Sequence, residues 1–242
     1  IYREPESLKK IAWIPFGVRR VIGKLAAKLP DVKGRDFLIR AGMKVEERFI
    51  GNAYIYREKE KAQILKNKVT GPSTQEYLRP FFKELESENR GSLRDMEKMQ
   101  SVDLRYWLPG DILQKADKMS MAHSLEVRVP FLDKEVFDFA AKLPKETKIA
   151  AGTTKYIFRK AVSEFLPQET DERRKLGFPI PIRVWLRQDD WYQMVTDLFT
   201  SKAAEEFFRT EVLLQLLKDH KDKKADNSRK IWTVLTLSLI HI

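Results

Sequence analysis

A change of hydrophobic period within residues 108–133 constrains the fold of this chain more than any other feature. At about 100° per residue, the apolar side chains of the first part share one arc of a helix, and the polar side chains share the opposite arc. The apolar arc holds Ile112, Leu113, Ala116 and Met119, and the polar arc holds Asp111, Gln114, Lys115 and Lys118. Pro109 and Gly110 lead into this helix. The pattern predicts a helix with one core face and one charged face.

After residue 124 the hydrophobic period becomes two. The alternating side chains are those of Glu126, Val127, Arg128, Val129 and Phe131. A period of two places the apolar members on one face of an extended segment, and Pro130 limits further ladder pairing. The pattern predicts a short buried strand or strap, followed by a helix that Asp133 caps.

Further helices are predicted from caps and apolar spacing. Ser73 or Thr74 fits the N-cap of a helix that follows the break at residues 71–72. Met96, Met99 and Leu104 are spaced to face inward, and although methionines can line a flexible ligand surface, filling of a core is the better interpretation. Residues 229–239 have the composition of a core helix. The chain is therefore predicted to be mainly α-helical.

A lysine at the start of a predicted helix marks residues 152–167. Thr153 or Thr154 can cap this helix, and Lys155 then lies in its first turn. Cations normally avoid a helix N-terminus because the helix dipole is positive there. An ammonium group at this end is favourable if an anion binds to it and to the free backbone N–H groups. The alternative is that Lys155 is solvated and the small dipole penalty is tolerated, and the spacing alone leaves both interpretations open.

A cationic, proline-containing segment occupies residues 172–186. It contains Arg173, Arg174 and Lys175, then Gly177, Phe178, Pro179, Pro181 and Trp185. The glycine and prolines predict a stiff, non-helical loop that Phe178 and Trp185 pin at its ends. A rigid cationic loop can clamp phosphate, because positioning is most of what phosphoryl chemistry requires of a protein. The alternative is a solvated, charged turn.

The composition limits the classes of partner and of chemistry. The 46 Lys and Arg residues exceed the 35 Asp and Glu residues by 11, which favours an anionic partner such as a nucleotide, a nucleic acid or an acidic metabolite. Without cysteine, these residues form no disulfide, thiolate metal site or cysteine nucleophile. A basic segment at residues 6–29 could lie on a membrane or on nucleic acid, but Pro15 breaks its face and favours ordinary solvated helices. A cytoplasmic protein without membrane or nucleic-acid partners is predicted.

Three segments follow one another in this chain: DILQKADKMSMAHSLEVRVPFLD, TKYIFR and RRKLGFPIPIRVWL. At these separations they resemble the C-terminal synthetase domain of the glutamine-hydrolysing asparagine synthetase family. The resemblance covers essentially the whole chain and is strongest over residues 93–186; the opening IYREP looks like the segment that follows the family's Gly-Gly-Tyr. The chain starts without an initiator Met and stops inside the apolar run LTLSLIHI, which predicts a fragment of a longer protein.

The resemblance implies that residues 1–242 are the mainly α, C-terminal helical portion of a single α/β ATP-pyrophosphatase domain of the adenine nucleotide α-hydrolase type. The implied reaction uses ATP and Mg²⁺ to adenylate the side-chain carboxylate of aspartate, releases pyrophosphate, and forms asparagine with ammonia from glutamine. An N-terminal glutaminase domain of the same full-length chain would supply the ammonia. The family's Ser-Gly-Gly-x-Asp-Ser loop and Gly-x-Asp-Glu segment would precede Ile1. These residues are therefore expected to complete an active site rather than to constitute one.

The resemblance also implies roles for individual residues. Lys155 and Lys175 look like the lysines that contact the phosphates of ATP, with Arg173 beside them, and Lys175 is expected to stabilise charge on the pentavalent α-phosphate. Asp111 and Lys115 resemble the acidic and basic positions that line the aspartate and ammonia side of the cleft, where Asp111 would deprotonate or orient the attacking ammonia. No metal ligand is assigned within the chain, because most Mg²⁺ ligands are expected outside it.

Glu126 and Arg128 are expected to be structural, as a buried ion pair that holds the strap. Alternative functions are a related adenylating amidotransferase or a β-lactam synthetase-like enzyme that uses another carboxylate. A basic helical module that binds nucleic acid is a third alternative, and it rests on the net charge alone. The sequence leaves open whether the protein is a homodimer.

Overall fold

The computed structural model describes residues 4–30, 32–51, 54–67, 70–89, 93–167 and 180–240. Within these ranges the chain is mostly helical and carries a small two-stranded sheet, which confirms the mainly α prediction. The chain divides into two compact units: unit 1 consists of Ile1–Lys115 and Pro181–Ile242, and unit 2 consists of Ala116–Ile180. That residues 1–242 form part of a single domain stays a prediction.

The elements follow one another along the described residues in short segments. The first are α1 (Glu4–Lys9), α2 (Phe16–Ala26), α3 (Arg35–Ala41), α4 (Val45–Arg48), α5 (Glu58–Ile64), α6 (Thr74–Glu88), α7 (Asp95–Val102), a π-helix (Asp103–Leu113) and α8 (Gln114–Met121). Next come a 3-10 turn (Pro130–Leu132), α9 (Lys134–Lys142), α10 (Lys145–Lys148), β1 (Ile149–Ala150), β2 (Thr153–Thr154) and α11 (Tyr156–Val162). The last are α12 (Ile182–Trp185), α13 (Asp189–Phe199), α14 (Lys202–Phe207), α15 (Thr210–Lys221) and α16 (Ser228–Ile240).

Among the described residues of unit 1, two apolar cores hold these helices together. One joins α4, α6 and α7 through Val45, Phe49, Leu78, Phe82, Met99 and Val102. The other joins α13, α15 and α16 through Leu186, Val195, Phe199, Leu213, Leu217, Ile231 and Val234, with Tyr56 and Ile64. Met96 and Met99 are fully buried, which confirms the core interpretation, whereas Leu104 is exposed and that prediction was wrong. Each buried aliphatic side chain stabilises the fold by about 1.5–3 kcal/mol.

Local sequence signals set several helix ends. The Ser73 hydroxyl accepts a hydrogen bond from the Glu76 N–H at 3.3 Å, and the Glu76 carboxylate accepts one from the Ser73 N–H at 2.8 Å. This reciprocal pair is a capping box and confirms Ser73 as the N-cap of α6. Helix α2 begins directly after Pro15, where the break was predicted.

Glycine allows helices α2 and α3 to pack closely. A Cβ atom on Gly42 would lie 2.6 Å from the carbonyl oxygen of Arg19, and one on Gly23 would lie 3.1 Å from that of Leu38. Larger residues at these two positions would push the helices apart. Among the helices of the described ranges, none has both the length and the apolar character needed to cross a bilayer.

Unit 2 contains a short hairpin between helices. Strands β1 and β2 pair antiparallel, with Ile149 opposite Thr154. The two linking residues, Ala151 and Gly152, both have positive φ, at 47° and 70°. Two central residues with positive φ define the tight turn whose twist matches that of paired strands. The hairpin places Lys155 directly at the start of α11.

Candidate functional site

Asp111 and Lys115 lie on a helical stretch that runs without interruption from α7 through the π-helix into α8. Pro109 lies inside the π-helix. Pro109 and Gly110, which were predicted to lead into the helix, therefore do not mark its start. Proline lacks the N–H that an α-helix uses, and its ring crowds the carbonyl one turn earlier, which favours a departure from α-helical geometry. Distortions of the π type occur frequently at functional sites.

The side chains of Trp107, Asp111 and Lys115 form a line along this helical stretch. The Trp107 indole N–H donates to Oδ2 of Asp111 at 3.0 Å. The Lys115 ammonium lies 3.6 Å from Oδ1 of the same carboxylate. Asp111 and Lys115 are exposed, so both remain accessible to a small molecule. A carboxylate held in this way can accept a proton from an amine or orient it.

The apolar arc of this helix is less buried than its pattern predicts. Ile112, Leu113 and Ala116 are half-buried, but Met119 is 61% exposed and does not belong to a core. Lys118 lies on the exposed side, as predicted. Met119 belongs to unit 2, where none of the described residues is buried. Helical periodicity shows which side chains share a face, and burial depends on a second layer that covers it.

The segment after residue 124 is an exposed, irregular strap that ends in a 3-10 turn, and the prediction of a buried strand was wrong. Its apolar side chains, those of Val127, Val129 and Phe131, are all exposed. The predicted ion pair between Glu126 and Arg128 forms, but these side chains are 69% and 84% exposed, so it is not a buried pair. An ion pair in water contributes little because solvent screens it. The strap instead makes an aromatic contact at its end. The rings of Phe131 and Phe158 meet edge-on with centroids 5.2 Å apart.

Lys155 is the N-cap of α11 and not a residue of its first turn. Thr153 and Thr154 belong to β2, so the prediction that either caps the helix was wrong. Lys155 has left-handed backbone angles, with φ 58° and ψ 33°, which are strained for a residue with a side chain. Its side chain is exposed, and its ammonium has no ion-pair partner among the residues that the structure describes. The hairpin thus presents the Lys155 ammonium at a constrained backbone position.

Arg173 and Lys175 lie outside the described residues, as does Arg174. The next described residue is Ile180, and the helix α12 that follows is anchored at its end, where the rings of Trp185 and Trp191 stack with centroids 5.3 Å apart. The prediction of a non-helical loop was therefore wrong for residues 182–185, which form α12 and end at Trp185. The predicted pin at Phe178 also falls outside the described residues.

Within the described ranges, no three carboxylate or imidazole groups converge in a way that could hold a metal ion. These residues therefore do not by themselves fit a Mg²⁺ site, and we assign the ion no ligand among them.

His220 is a fully buried polar residue that sequence reasoning did not select. Its Nε2–H donates to the Arg183 carbonyl at 3.0 Å, and its Nδ1 accepts the Asn227 N–H at 3.2 Å. Nearby, the hydroxyl and the backbone N–H of Ser228 hold the pKa of Asp226 below its usual range, because both donate to the charged carboxylate. The sequence did contain a signal for the burial of His220, because Leu213, Leu217 and His220 recur at helical spacing on one face of α15.

The family model for asparagine synthase matches residues 2–242. The chain belongs to the asparagine synthase family. A glutamine-hydrolysing asparagine synthetase 1 of Bacillus subtilis is 45% identical over 242 residues, which are 100% of this chain and 37% of the relative. A putative glutamine-hydrolysing asparagine synthetase of Mycobacterium tuberculosis H37Rv is 37% identical over 242 residues, 100% of this chain and 36% of the relative.

A glutamine-hydrolysing asparagine synthetase of Gallus gallus is 39% identical over 106 residues, which are 40% of this chain and 19% of the relative. The two bacterial relatives show that the chain spans little more than a third of the length of the curated proteins that it matches throughout. No solved structure matches it. The predicted resemblance is confirmed at the level of the family.

Proposed function

We propose that this chain forms part of an enzyme that makes asparagine from aspartate, ATP and ammonia released from glutamine. The observation that carries the proposal is the 45% identity, over the whole chain, to a protein named as a glutamine-hydrolysing asparagine synthetase. In the proposed reaction the side-chain carboxylate of aspartate attacks the α-phosphate of ATP and pyrophosphate leaves. Ammonia then attacks the acyl-adenylate carbonyl, AMP leaves with the electrons of the broken C–O bond, and the nitrogen loses a proton.

Lys155, Arg173 and Lys175 are the proposed ATP ligands, with Lys175 placed to offset charge at the α-phosphate. The exposed ammonium of Lys155, without an ion-pair partner among the described residues, supports a role in binding an anion. Asp111 and Lys115 are the proposed residues for ammonia and aspartate. The hydrogen bond from Trp107 to Asp111 supports that role, since it holds one carboxylate oxygen and leaves the other beside Lys115.

We also infer that these helices are the C-terminal portion of a single α/β ATP-pyrophosphatase domain, which acts with Mg²⁺ held mainly by residues other than those described. The glutaminase domain that would release the ammonia is a proposed partner in the same full-length protein. A cytoplasmic location and a homodimer stay predictions.

A chimera tests the proposal. This chain replaces the 242 matched residues of the Bacillus subtilis relative, and aspartate-dependent pyrophosphate release, asparagine formation and glutaminase activity are measured separately. We expect Lys175→Ala to abolish the first two and to spare the third. Lys160→Ala removes an equal charge from an exposed position in α11 and should change none of them. Full synthesis by Lys175→Ala would remove Lys175 from the mechanism, and release driven by another carboxylate but not by aspartate would change the substrate.

A further inference from the structure

A groove on unit 1 lies where the end of α5 meets the link between α14 and α15. Its volume is about 470 Å³, which is within the range of sites that hold small molecules. The residues that line it include Lys61, Leu65, Lys66, Asn67 and Arg209. Since all of them belong to unit 1, the shape of the groove depends on that unit alone.

The backbone on both sides of this groove is fixed to the second core. The N–H of Lys66 donates to the carbonyl of Phe207 at 2.9 Å. The N–H of Arg209 donates to the carbonyl of Ile64 at 2.8 Å. Ile64 and Phe208 are buried members of the second core. The backbone positions of Lys66 and Arg209 are therefore set before any ligand arrives, which lowers the entropic cost of binding.

Lys66 and Arg209 bring positive charge to this groove. The Lys66 ammonium donates to the backbone carbonyl of Glu205 at 2.9 Å, and the Arg209 guanidinium donates to that of Gln63 at 3.5 Å. Neither cation has an ion-pair partner among the residues that the structure describes. Lysine carries three N–H donors and arginine five, so donors remain on both groups. Both residues are exposed, which leaves these donors accessible to a ligand.

The other two charged residues of the groove are paired with each other. The Lys61 ammonium donates to the carboxylate of Glu58 at 2.8 Å and to the hydroxyl of Thr74 at 3.0 Å. Lys61 thereby offsets the negative charge that Glu58 places on the groove wall. The positive charge of Lys66 and Arg209 is left in excess, and an anion is the ligand that it attracts.

We propose that this groove binds a small organic anion through Lys66 and Arg209, with an apolar body against Leu65 and Ala62. The charged group is a carboxylate or a phosphate ester, because the guanidinium fork forms paired hydrogen bonds with either one. None of these residues is among the proposed ligands of ATP or aspartate. The inference therefore does not rest on the proposed function.

The experiment uses the chimera with the Bacillus subtilis relative and measures binding directly. Phenyl phosphate, benzoate and benzyl alcohol, which is neutral and of similar shape, are tested by equilibrium dialysis near physiological salt. We expect at least one of the two anions to bind and benzyl alcohol not to bind. The tighter of the two anions assigns the charged group. If neither anion binds at millimolar concentration, or if benzyl alcohol binds equally well, the proposal is overturned.

Substitutions in the groove locate the bound anion. Lys66→Gln and Arg209→Gln keep a polar side chain without the charge, and each should raise Kd about tenfold or more. Lys66→Arg keeps the charge and should retain most of the affinity. Both positions are exposed, so the urea midpoints should equal that of the parent and the affinities then compare folded proteins.

Lys24→Gln is the matched control, because it removes an equal charge from an exposed position on α2. It should leave Kd unchanged. An equal loss of affinity in Lys24→Gln would assign the binding to net charge and overturn the proposal. An unchanged Kd in both Lys66→Gln and Arg209→Gln would place the anion elsewhere on the protein and overturn it as well.

Discussion

Glu60 and Lys230 stand 170 positions apart in the sequence, and 2.5 Å separates Oε1 of the first from Nζ of the second. Tyr56 donates its hydroxyl to the backbone carbonyl of Lys230 at 2.8 Å, and burial raises the pKa of Tyr56, so its hydroxyl remains a donor at physiological pH. These contacts fasten α5 to the first turn of α16 inside unit 1. These contacts stabilise the second core on the side where α5 packs against it.

Replacing Glu60 by Gln should lower the free energy of unfolding by about 1 kcal/mol. Gln keeps a carbonyl oxygen that can accept the Arg57 N–H, so the main loss is the ion pair with Lys230. Urea unfolding measures the change. Asp138→Asn is the control, because the Lys134–Asp138 pair has a similar length of 2.8 Å but lies in solvent, and it should have no measurable effect. Equal losses in the two variants would contradict the prediction.

The cost of Glu60→Gln should depend on pH. Burial alone would raise the pKa of Glu60, but the hydrogen bonds from the Lys230 ammonium and the Arg57 N–H outweigh it, so the pKa is lowered. A carboxyl whose pKa is lower in the folded than in the unfolded state stabilises fully above its unfolded pKa, about 4.3, and loses this contribution as pH falls through the folded value. Urea unfolding should show the full difference in the free energy of unfolding between parent and variant at about pH 7. This difference should shrink below about pH 4. A difference that stays constant with pH would show that the charge is not its source.

Sequence reasoning found the features that depend on neighbours along the chain. Ser73 and Asp133 cap helices as predicted, because a cap is set by residues two or three positions away; Oδ1 of Asp133 accepts the N–H groups of Glu135 and Val136 at 2.9 and 3.3 Å. The adjacency of Asp111 and Lys115 follows from their spacing of four on a helix. These contacts need no knowledge of the tertiary fold.

The features that sequence reasoning missed depend on distant parts of the chain. A period of two predicted that Val127 and Val129 share the buried face of a strand, but it could not tell whether another layer covers these side chains, and both are exposed. The bond from His220 to Arg183 joins positions 37 apart, and no local pattern encodes it. For Arg173 and Lys175 the sequence assignment stays a prediction, since both lie outside the described residues.

Gly17 in α2 and Gly42 at the end of α3 should respond in opposite ways to alanine. At Gly42 the added Cβ would lie 2.6 Å from the Arg19 carbonyl oxygen and 3.0 Å from the Cα of Arg20, so backbone must move, at a cost of about 1–3 kcal/mol. At Gly17, within α2, the new Cβ meets nothing within 4 Å, and alanine favours the helix by about 0.5–1 kcal/mol. Thermal and urea unfolding of the two variants measure the sign of each change. No loss of stability in Gly42→Ala would contradict the close packing of α2 on α3, and a loss in Gly17→Ala would contradict the open position of Gly17.

The same leucine-to-alanine substitution should cost much more stability in the core than on the surface. Leu217→Ala removes a completely buried side chain from the second core and should cost about 2–5 kcal/mol. Leu25→Ala removes a side chain that is 59% exposed on α2 and should change stability by less than about 0.5 kcal/mol. Urea midpoints measured under the same conditions decide the comparison. Similar losses would mean that Leu25 is covered in solution.

Lys155 and Lys223 provide a matched pair for the proposed ATP contact, because both are lysines with left-handed φ, 58° and 59°. Asparagine tolerates this conformation better than lysine, so Lys155→Asn and Lys223→Asn should each stabilise the chain slightly, by up to about 1 kcal/mol, and each removes one positive charge. In the chimera with the Bacillus subtilis relative, only Lys155→Asn should raise KM for ATP, by about tenfold, since a lost charge-assisted contact to phosphate is worth about 1.4 kcal/mol or more. Initial rates of pyrophosphate release at varied ATP measure the effect. An unchanged KM in Lys155→Asn would remove this residue from the ATP site, and an equal rise in Lys223→Asn would assign the effect to net charge rather than to contact.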